Sequence, residues 1–167
     1  AFTSTSIDAT KLSGALPAID GSALTNMAGS EGFAVGFASA GWQSLSAGTV
    51  VPFDNDSGGD RYDDGSNFNT TTSKYTAPTT GVYMFWWFLY TAQTDTDGSF
   101  TIVKNGASVD YMQGTDYFMK YSGHSNDFVL HASLHVKVNA GETIYITAAS
   151  TSDVYTGHSA FGGCRLS

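Results

Sequence analysis

The sequence is poor in charge, and its few cations are scattered. Of 167 residues, seven are Lys or Arg and fifteen are Asp or Glu, which leaves a formal net charge of −8. Charged residues make up 13% of the chain, well below the roughly 25% of an average soluble protein. Nucleic acids and anionic membrane surfaces are bound by clustered positive charge. The composition therefore argues against nucleic acid as a partner.

Cysteine and long apolar runs are also scarce. Cys164 is the single cysteine, so a disulfide within the chain is excluded, as is typical of proteins assembled in a reducing cytosol. No apolar run is long enough to span a bilayer and no signal peptide is recognisable, so we expect no membrane insertion. Because the chain begins at Ala1 and not at Met, we expect a fragment or a processed product.

Residues that favour helices are few, whereas residues that favour strands and turns are many. Glu31 and Glu142 are the only glutamates. Aromatic residues make up 14% of the chain, and it contains 19 glycines. Helical surfaces need Glu, Lys and Arg, and this composition favours β-strands joined by tight turns instead.

The first thirty or so residues differ from the rest. Residues 1–30 contain no Tyr or Trp, and Ile7-Asp8-Ala9 is loosely repeated as Ile19-Asp20-Gly21. This segment has too little apolar material for a core of its own. We interpret residues 1–31 as a stem or linker and residues 32–167 as a head domain; a disordered leader is the alternative for the first segment.

Two long segments of the head have strand periodicity. Residues 81–91 are apolar on both faces, so this strand must be covered twice. Residues 128–138 alternate, with Leu130, Leu134 and Val136 on one side and His131 and His135 on the other. Further strands are predicted at 33–37, 50–53, 100–106, 143–147 and 159–166, which together indicate an all-β sandwich or jelly roll.

Several short motifs occur in the order found in a known family. They resemble the globular head of complement C1q and its tumour-necrosis-factor-like (TNF-like) relatives over roughly residues 32–167. The motifs are Val50-Val-Pro-Phe-Asp54, Tyr62-Asp63, the stretch 75–85 containing Thr79-Thr-Gly-Val-Tyr83, Val103-Lys-Asn-Gly106, Val136-Lys-Val-Asn-Ala-Gly-Glu-Thr-Ile144 and Ser159-Ala-Phe-Gly-Gly163.

This resemblance implies a ten-stranded jelly roll that assembles as a homotrimer. It places Tyr83 and Phe85 in the sandwich core, so Met84, Trp86 and Phe88 would face neighbouring subunits. His131 and His135 would line the same interface, either as ordinary hydrogen-bonded side chains or as a site formed by three copies of one histidine.

The first segment lacks the Gly-X-Y triplets on which animal members of this family are commonly carried. Residues 7–26 instead resemble stretches of bacteriophage tail-fibre proteins. The order of stem and head predicts the receptor-binding tip of a viral fibre on the virion surface, recognising a host-surface glycan or protein. A secreted, lectin-like C1q-domain protein and a purely structural trimerisation knob are the alternatives.

Two groups of residues are candidate ligand sites. Aromatic side chains on loops are natural platforms for sugar rings or for a receptor, and packing beneath the loop is the alternative. An aspartate-rich loop could supply the oxygen ligands that calcium takes, although it departs from the EF-hand pattern, and a solvated turn is the alternative. The aromatic candidates are Trp42, Tyr111, Tyr117, Phe118 and Tyr121; the calcium candidates are Asp54, Asp56, Asp60, Asp63 and Asp64.

Catalytic motifs are weak throughout. Gly123-His-Ser-Asn-Asp127 and Gly157-His-Ser-Ala-Phe161 both lack the closing glycine of a nucleophile elbow. There is no zinc-protease motif and no phosphate-binding glycine loop. We therefore predict a binding protein and not an enzyme.

Overall fold

A computed structural model describes residues 31–92, 99–108, 119–120 and 128–167. Over these ranges the chain forms thirteen strands in two antiparallel sheets, with one short 3-10 turn at Thr156–His158. No helix in the described ranges is long and apolar enough to cross a membrane. The strands are β1 (Gly32–Val35), β2 (Trp42–Leu45), β3 (Tyr62–Asp63), β4 (Phe68–Asn69), β5 (Lys74–Thr76), β6 (Gly81–Thr91), β7 (Ser99–Lys104), β8 (Ala107–Ser108), β9 (Met119–Lys120), β10 (Phe128–Val138), β11 (Thr143–Ala148), β12 (Ser152–Tyr155) and β13 (Ala160–Arg165).

Strand β6 is the central element of the first sheet. It pairs along its whole length with β10, from Thr91 opposite Phe128 to Gly81 opposite Val138. Its other edge pairs with β13 and, near its end, with β12. The first sheet runs β2-β12-β6-β13-β1-β3 with β10 beside β6, and the second runs β4-β5-β11-β7-β8 with β9 beside β7.

The core lies between the two sheets and is rich in aromatic rings. Phe33 is fully buried, with its ring centroid 4.5 Å from that of Tyr75 and 5.1 Å from that of Phe161. From β6, the alternate residues Tyr83 and Phe85 point into this core, as predicted, and are also fully buried. Truncating a buried ring of this kind to alanine typically costs about 3–5 kcal/mol.

The predicted strand at 50–53 is not formed. Val50 makes only an isolated bridge with Thr147, and the following residues have no ladder. Pro52 lacks the N–H that a ladder needs. Val51 and Phe53 are nevertheless fully buried, so the apolar pattern of this segment indicates burial in the core and not a paired strand.

Glu31, the first described residue, lies at one end of the sandwich, which we call the base. There the Glu31 carboxylate lies 3.0 Å from the Tyr83 hydroxyl and 3.6 Å from an Arg165 guanidinium nitrogen. Burial raises the pKa of Tyr83, and the neighbouring Glu31 carboxylate raises it further. The C-terminal Ser167 carbonyl accepts from the Val82 N–H at the same end. Strand β6 therefore begins at the base and runs from there towards the opposite, distal end of the described chain.

The buried hydroxyl of Tyr75 should make the stability of the protein depend on pH. It has no hydrogen-bond partner within the described residues. Burial raises the pKa of this phenol, and the nearby Tyr83 and Glu31 raise it further. Since the folded pKa lies above the unfolded value of about 10, this group's contribution to stability is complete below about pH 10 and is lost as the pH rises beyond it.

Replacing Tyr75→Phe should therefore leave the free energy of unfolding at pH 7 within about 1 kcal/mol of the original, or raise it. Above pH 10 the variant should lose stability less steeply. Urea unfolding from pH 7 to about pH 11 at fixed protein concentration measures both. Tyr62→Phe, at an exposed tyrosine, is the pH 7 control. A loss above about 2 kcal/mol in Tyr75→Phe would show that the hydroxyl has a partner after all.

Candidate functional site

The side of the first sheet that faces away from the core carries a row of large apolar residues. We call this side the outer face, and at its centre lie Met84, Trp86 and Phe88 of β6. The ring centroids of Trp86 and Phe88 are 5.6 Å apart. Phe88 is 46% exposed in the single chain, while Trp86 and Met84 are partly buried. The structure thus places all three residues away from the sandwich core, as predicted.

Beside this row lies a trough of small residues. Across the ladder from Phe88 and Trp86 stand Ala160 and Gly162 of β13, and Ala34 of β1 lies beyond Gly162. The trough is a groove of about 400 Å³ between Phe88, Ala34 and Ala160, and its lining also includes Asp60 and Arg61. Gly162 lies beneath the Trp86 ring. The outer face therefore presents a ridge next to a hollow, a shape that a second surface can fit.

Gly162 is essential to this shape. The Trp86 indole lies so close above it that a Cβ atom there would sit 2.3 Å from Trp86 Cζ2 and 2.8 Å from the Phe33 carbonyl oxygen. Glycine at this position lets the large ring lie against the sheet. The Gly162-Gly163 pair was visible in the sequence, but only the register of β13 against β6 gives it this meaning.

The two histidines predicted for the interface both lie on this face. His131 stands opposite Phe88 with ring centroids 6.1 Å apart, and His135 stands opposite Met84. Both are exposed in the single chain. They are four residues apart on one strand, about 13 Å, so one metal ion cannot bind both within a chain. Among the described residues, no three His, Cys, Asp or Glu side chains come together in a metal-binding group.

Trp42, the first aromatic ligand candidate, belongs to a cluster of rings that the sequence did not predict. Its indole lies 5.3 Å from the ring of Tyr155 and 5.9 Å from that of Tyr90, and His158 packs 5.4 Å from Tyr90. Trp42 is 50% exposed. The pairing of β2 with β12 next to the end of β6 assembles this cluster from residues far apart in the sequence. The other aromatic candidates, Tyr111, Tyr117, Phe118 and Tyr121, lie outside the described residues.

Two of the predicted calcium residues accept hydrogen bonds from backbone N–H groups. The Asp63 carboxylate accepts the backbone N–H groups of Asn67 and Phe68 at 3.0 and 2.8 Å. Asp54 accepts the Ala38 N–H at 2.7 Å. Carboxylates engaged in this way suit a turn better than a cation cage. Calcium binding by Asp54, Asp56, Asp60, Asp63 and Asp64 stays a prediction.

The His158-Ser159 pair is occupied in packing and backbone hydrogen bonds. Ser159 Oγ donates to the Tyr155 carbonyl oxygen at 2.8 Å and accepts the Tyr90 N–H at 3.0 Å. A serine held in this way connects the 3-10 turn to β6. Its hydroxyl is engaged with backbone groups on both sides.

Comparison with solved structures finds the same arrangement of sheets in TNF and C1q domains. TNF Eiger from S. frugiperda has a TM-score of 0.61 at 14% identity, covering 83% of this chain and 93% of its own. The globular domain of zebrafish complement 1qA has a TM-score of 0.62 at 14% identity, covering 82% and 98%. Murine APRIL has a TM-score of 0.58 at 8% identity, covering 83% and 100%. The described chain has the C1q/TNF jelly-roll fold.

By sequence, no protein-family model matches the chain and no curated protein gives a significant match. The predicted all-β jelly roll is confirmed by the fold. The structure contains more than the ten expected strands because several ladders are only two residues long, as in β3 and β4.

The contact between Gly162 and Trp86 predicts the effect of adding one methyl group. Gly162→Ala should displace the Trp86 ring and destabilise the head by roughly 1–3 kcal/mol, because the added Cβ also meets backbone. Urea unfolding and near-ultraviolet circular dichroism measure the two effects. Gly41→Ala is the matched control, since a Cβ there has nothing within 4 Å. A Gly162→Ala variant with the original stability and spectrum would contradict this packing.

Proposed function

We propose that this chain is the trimeric, receptor-binding head of a fibre, with residues 1–31 as its stem. The observation that carries the proposal is the outer face. Strand β6 buries Tyr83 and Phe85 in the sandwich, and its other side still exposes Phe88 beside Trp86 and Met84. Covering each such side chain stabilises the assembly by about 1.5–3 kcal/mol.

A second copy of this chain is the occupant that fits the face best. The strand residues at the centre of the outer face are uncharged, as is usual for the core of a subunit interface, and Asp60 and Arg61 line the adjoining groove. These central residues are Met84, Trp86, Phe88, Ala160 and Gly162. The exposed Phe88 ring and the trough at Ala34 and Ala160 are different parts of one chain's surface. A ridge-to-trough contact is heterologous, and a ring that closes satisfies every copy. Three copies are inferred from the fold that this chain shares with TNF and C1q domains.

The course of the chain supports a role at the end of a fibre. Glu31 is fixed at the base, and β6 runs from there to Thr91. The distal end of the head lies opposite the point at which Glu31 enters it, and this is the end that the proposal assigns to the receptor. Residues 7–26, which resemble tail-fibre proteins of bacteriophages, supply the argument for a virion. Three identical sites on one rigid head would gain avidity through effective concentration.

The assembly is tested with a matched pair of aspartate substitutions in the full chain. Phe88→Asp places a charge on the outer face, and Thr147→Asp places one on the outward side of β11 in the second sheet. Sedimentation velocity should give three times the chain mass of 17.6 kDa for the original protein and for Thr147→Asp, but one chain for Phe88→Asp. Circular dichroism checks that both variants fold. A folded Phe88→Asp protein that keeps three chains, or an original protein that is a monomer, would overturn the trimer.

The receptor role is tested with the same proteins after fluorescent labelling. The original head and Thr147→Asp should bind cells of at least one species in a panel of bacteria. The Phe88→Asp monomer should bind about 10²–10⁴-fold more weakly, because avidity is lost. Trimers that bind no cells would remove the receptor role and favour the structural trimerisation knob.

A further inference from the structure

A cleft beside Trp42 is separate from the centre of the outer face. Its volume is about 480 Å³, in the range usual for small-ligand sites. The lining comes from five parts of the chain: the segment that follows β1, β2, residues 52–54, the turn between β4 and β5, and the 3-10 turn. Phe37 and the half-exposed Trp42 are apolar residues of the lining, and Gln43, Asp54, Thr70 and Thr71 are polar ones. Trp42 and Gln43 leave β2 on opposite faces, which places the Trp42 side chain at the rim of the cleft.

The walls of this cleft are held in place by hydrogen bonds. Asn69 Oδ1 accepts the N–H groups of Thr71 and Thr72 at 2.9 and 3.0 Å, which orders the turn between β4 and β5. Thr156 Oγ1 donates to the Ser39 carbonyl oxygen at 2.6 Å and so ties the segment after β1 to the 3-10 turn. A site that is already ordered does not lose binding free energy to rearrangement.

Several polar groups in the lining keep their hydrogen-bonding capacity. The Gln43 amide and the hydroxyls of Thr70 and Thr71 make no hydrogen bond to any described residue. Asp54 uses Oδ1 for the Ala38 N–H, and Oδ2 accepts nothing from the described residues. The cleft thus offers donors and acceptors to a ligand next to an aromatic surface.

We propose that this cleft binds a neutral sugar of one or two rings, which reaches Trp42 at the rim of the cleft. Gln43, Thr70, Thr71 and the free oxygen of Asp54 hydrogen-bond to the sugar hydroxyls. Among the described residues of the lining, Asp54 alone is charged, and its carboxylate repels sugar acids and so favours a neutral ring. This inference deepens the proposed function, on which it rests, by naming the receptor chemistry as a glycan and placing its site.

The test uses the full chain with 5-fluorotryptophan at Trp42, Trp86 and Trp87, and Trp42→Phe assigns the resonances. Glucose, galactose, mannose, N-acetylglucosamine and N-acetylgalactosamine are each titrated to about 50 mM, a range suited to millimolar affinity, while fluorine NMR is recorded. At least one sugar should shift the Trp42 resonance in a saturable way and leave Trp87, in the core, unchanged. Thr71→Val should weaken the apparent affinity about tenfold or more, because a hydroxyl of the sugar loses its partner.

Thr72→Val is the matched control, since Thr72 is the exposed neighbour of Thr71 and does not line the cleft. It should bind as the original does. The proposal is overturned if no sugar moves the Trp42 resonance, or if Thr71→Val and Thr72→Val bind alike. Sedimentation of the same samples separates the two proposals. If the protein is a monomer and the Trp42 resonance shifts, the trimer proposal is wrong and the sugar-binding proposal stands. If the protein is a trimer and the resonance does not shift, the sugar-binding proposal is wrong and the trimeric head stands.

Discussion

The structure depends on one constraint, which is that strand β6 must be covered on both faces. One face packs Tyr83, Phe85, Trp87 and Leu89 between the sheets, and all four are fully buried. The other face presents Met84, Trp86 and Phe88. The second sheet can cover only the first of these faces, because a two-layer sandwich has one interior. Gly162 of β13 belongs to the same arrangement, since a Cβ atom at this position would collide with the Trp86 ring.

Much of this was predictable because strand periodicity survives in the sequence. The alternation at 128–138 put Leu130, Leu134 and Val136 inside and His131 and His135 outside, and the structure confirms it. The doubly apolar run at 81–91 correctly identified the central strand. The prediction failed at 50–53. Val51 and Phe53 are buried, as the apolar pattern suggests, but Pro52 has no N–H for a ladder, so these residues are buried without forming a strand.

The cleft and the ring cluster around Trp42 were beyond prediction for a different reason. Their residues share no local pattern: Trp42 lies in a four-residue edge strand, and Thr70 and Thr71 lie in a polar turn. Only the pairing of β2 with β12, and the packing of the turn near β2, bring them together. The aspartate-rich loop is the opposite case, because its sequence pattern predicted a calcium site. Asp63, however, uses both carboxylate oxygens to hold its own loop.

Whether the outer face is covered in the native protein can be measured at Cys164. This single cysteine lies on β13 opposite Met84, on the outer face, and is partly exposed in the single chain. The rate of its modification by a bulky maleimide is measured in the native full chain and in the folded Phe88→Asp variant. The account predicts slow modification in the native protein and a rate at least about tenfold higher in the variant, since neighbouring copies shield the thiol only in the assembly. Equal rates would mean that the outer face is open to solvent in the native protein, and that other contacts hold any trimer together.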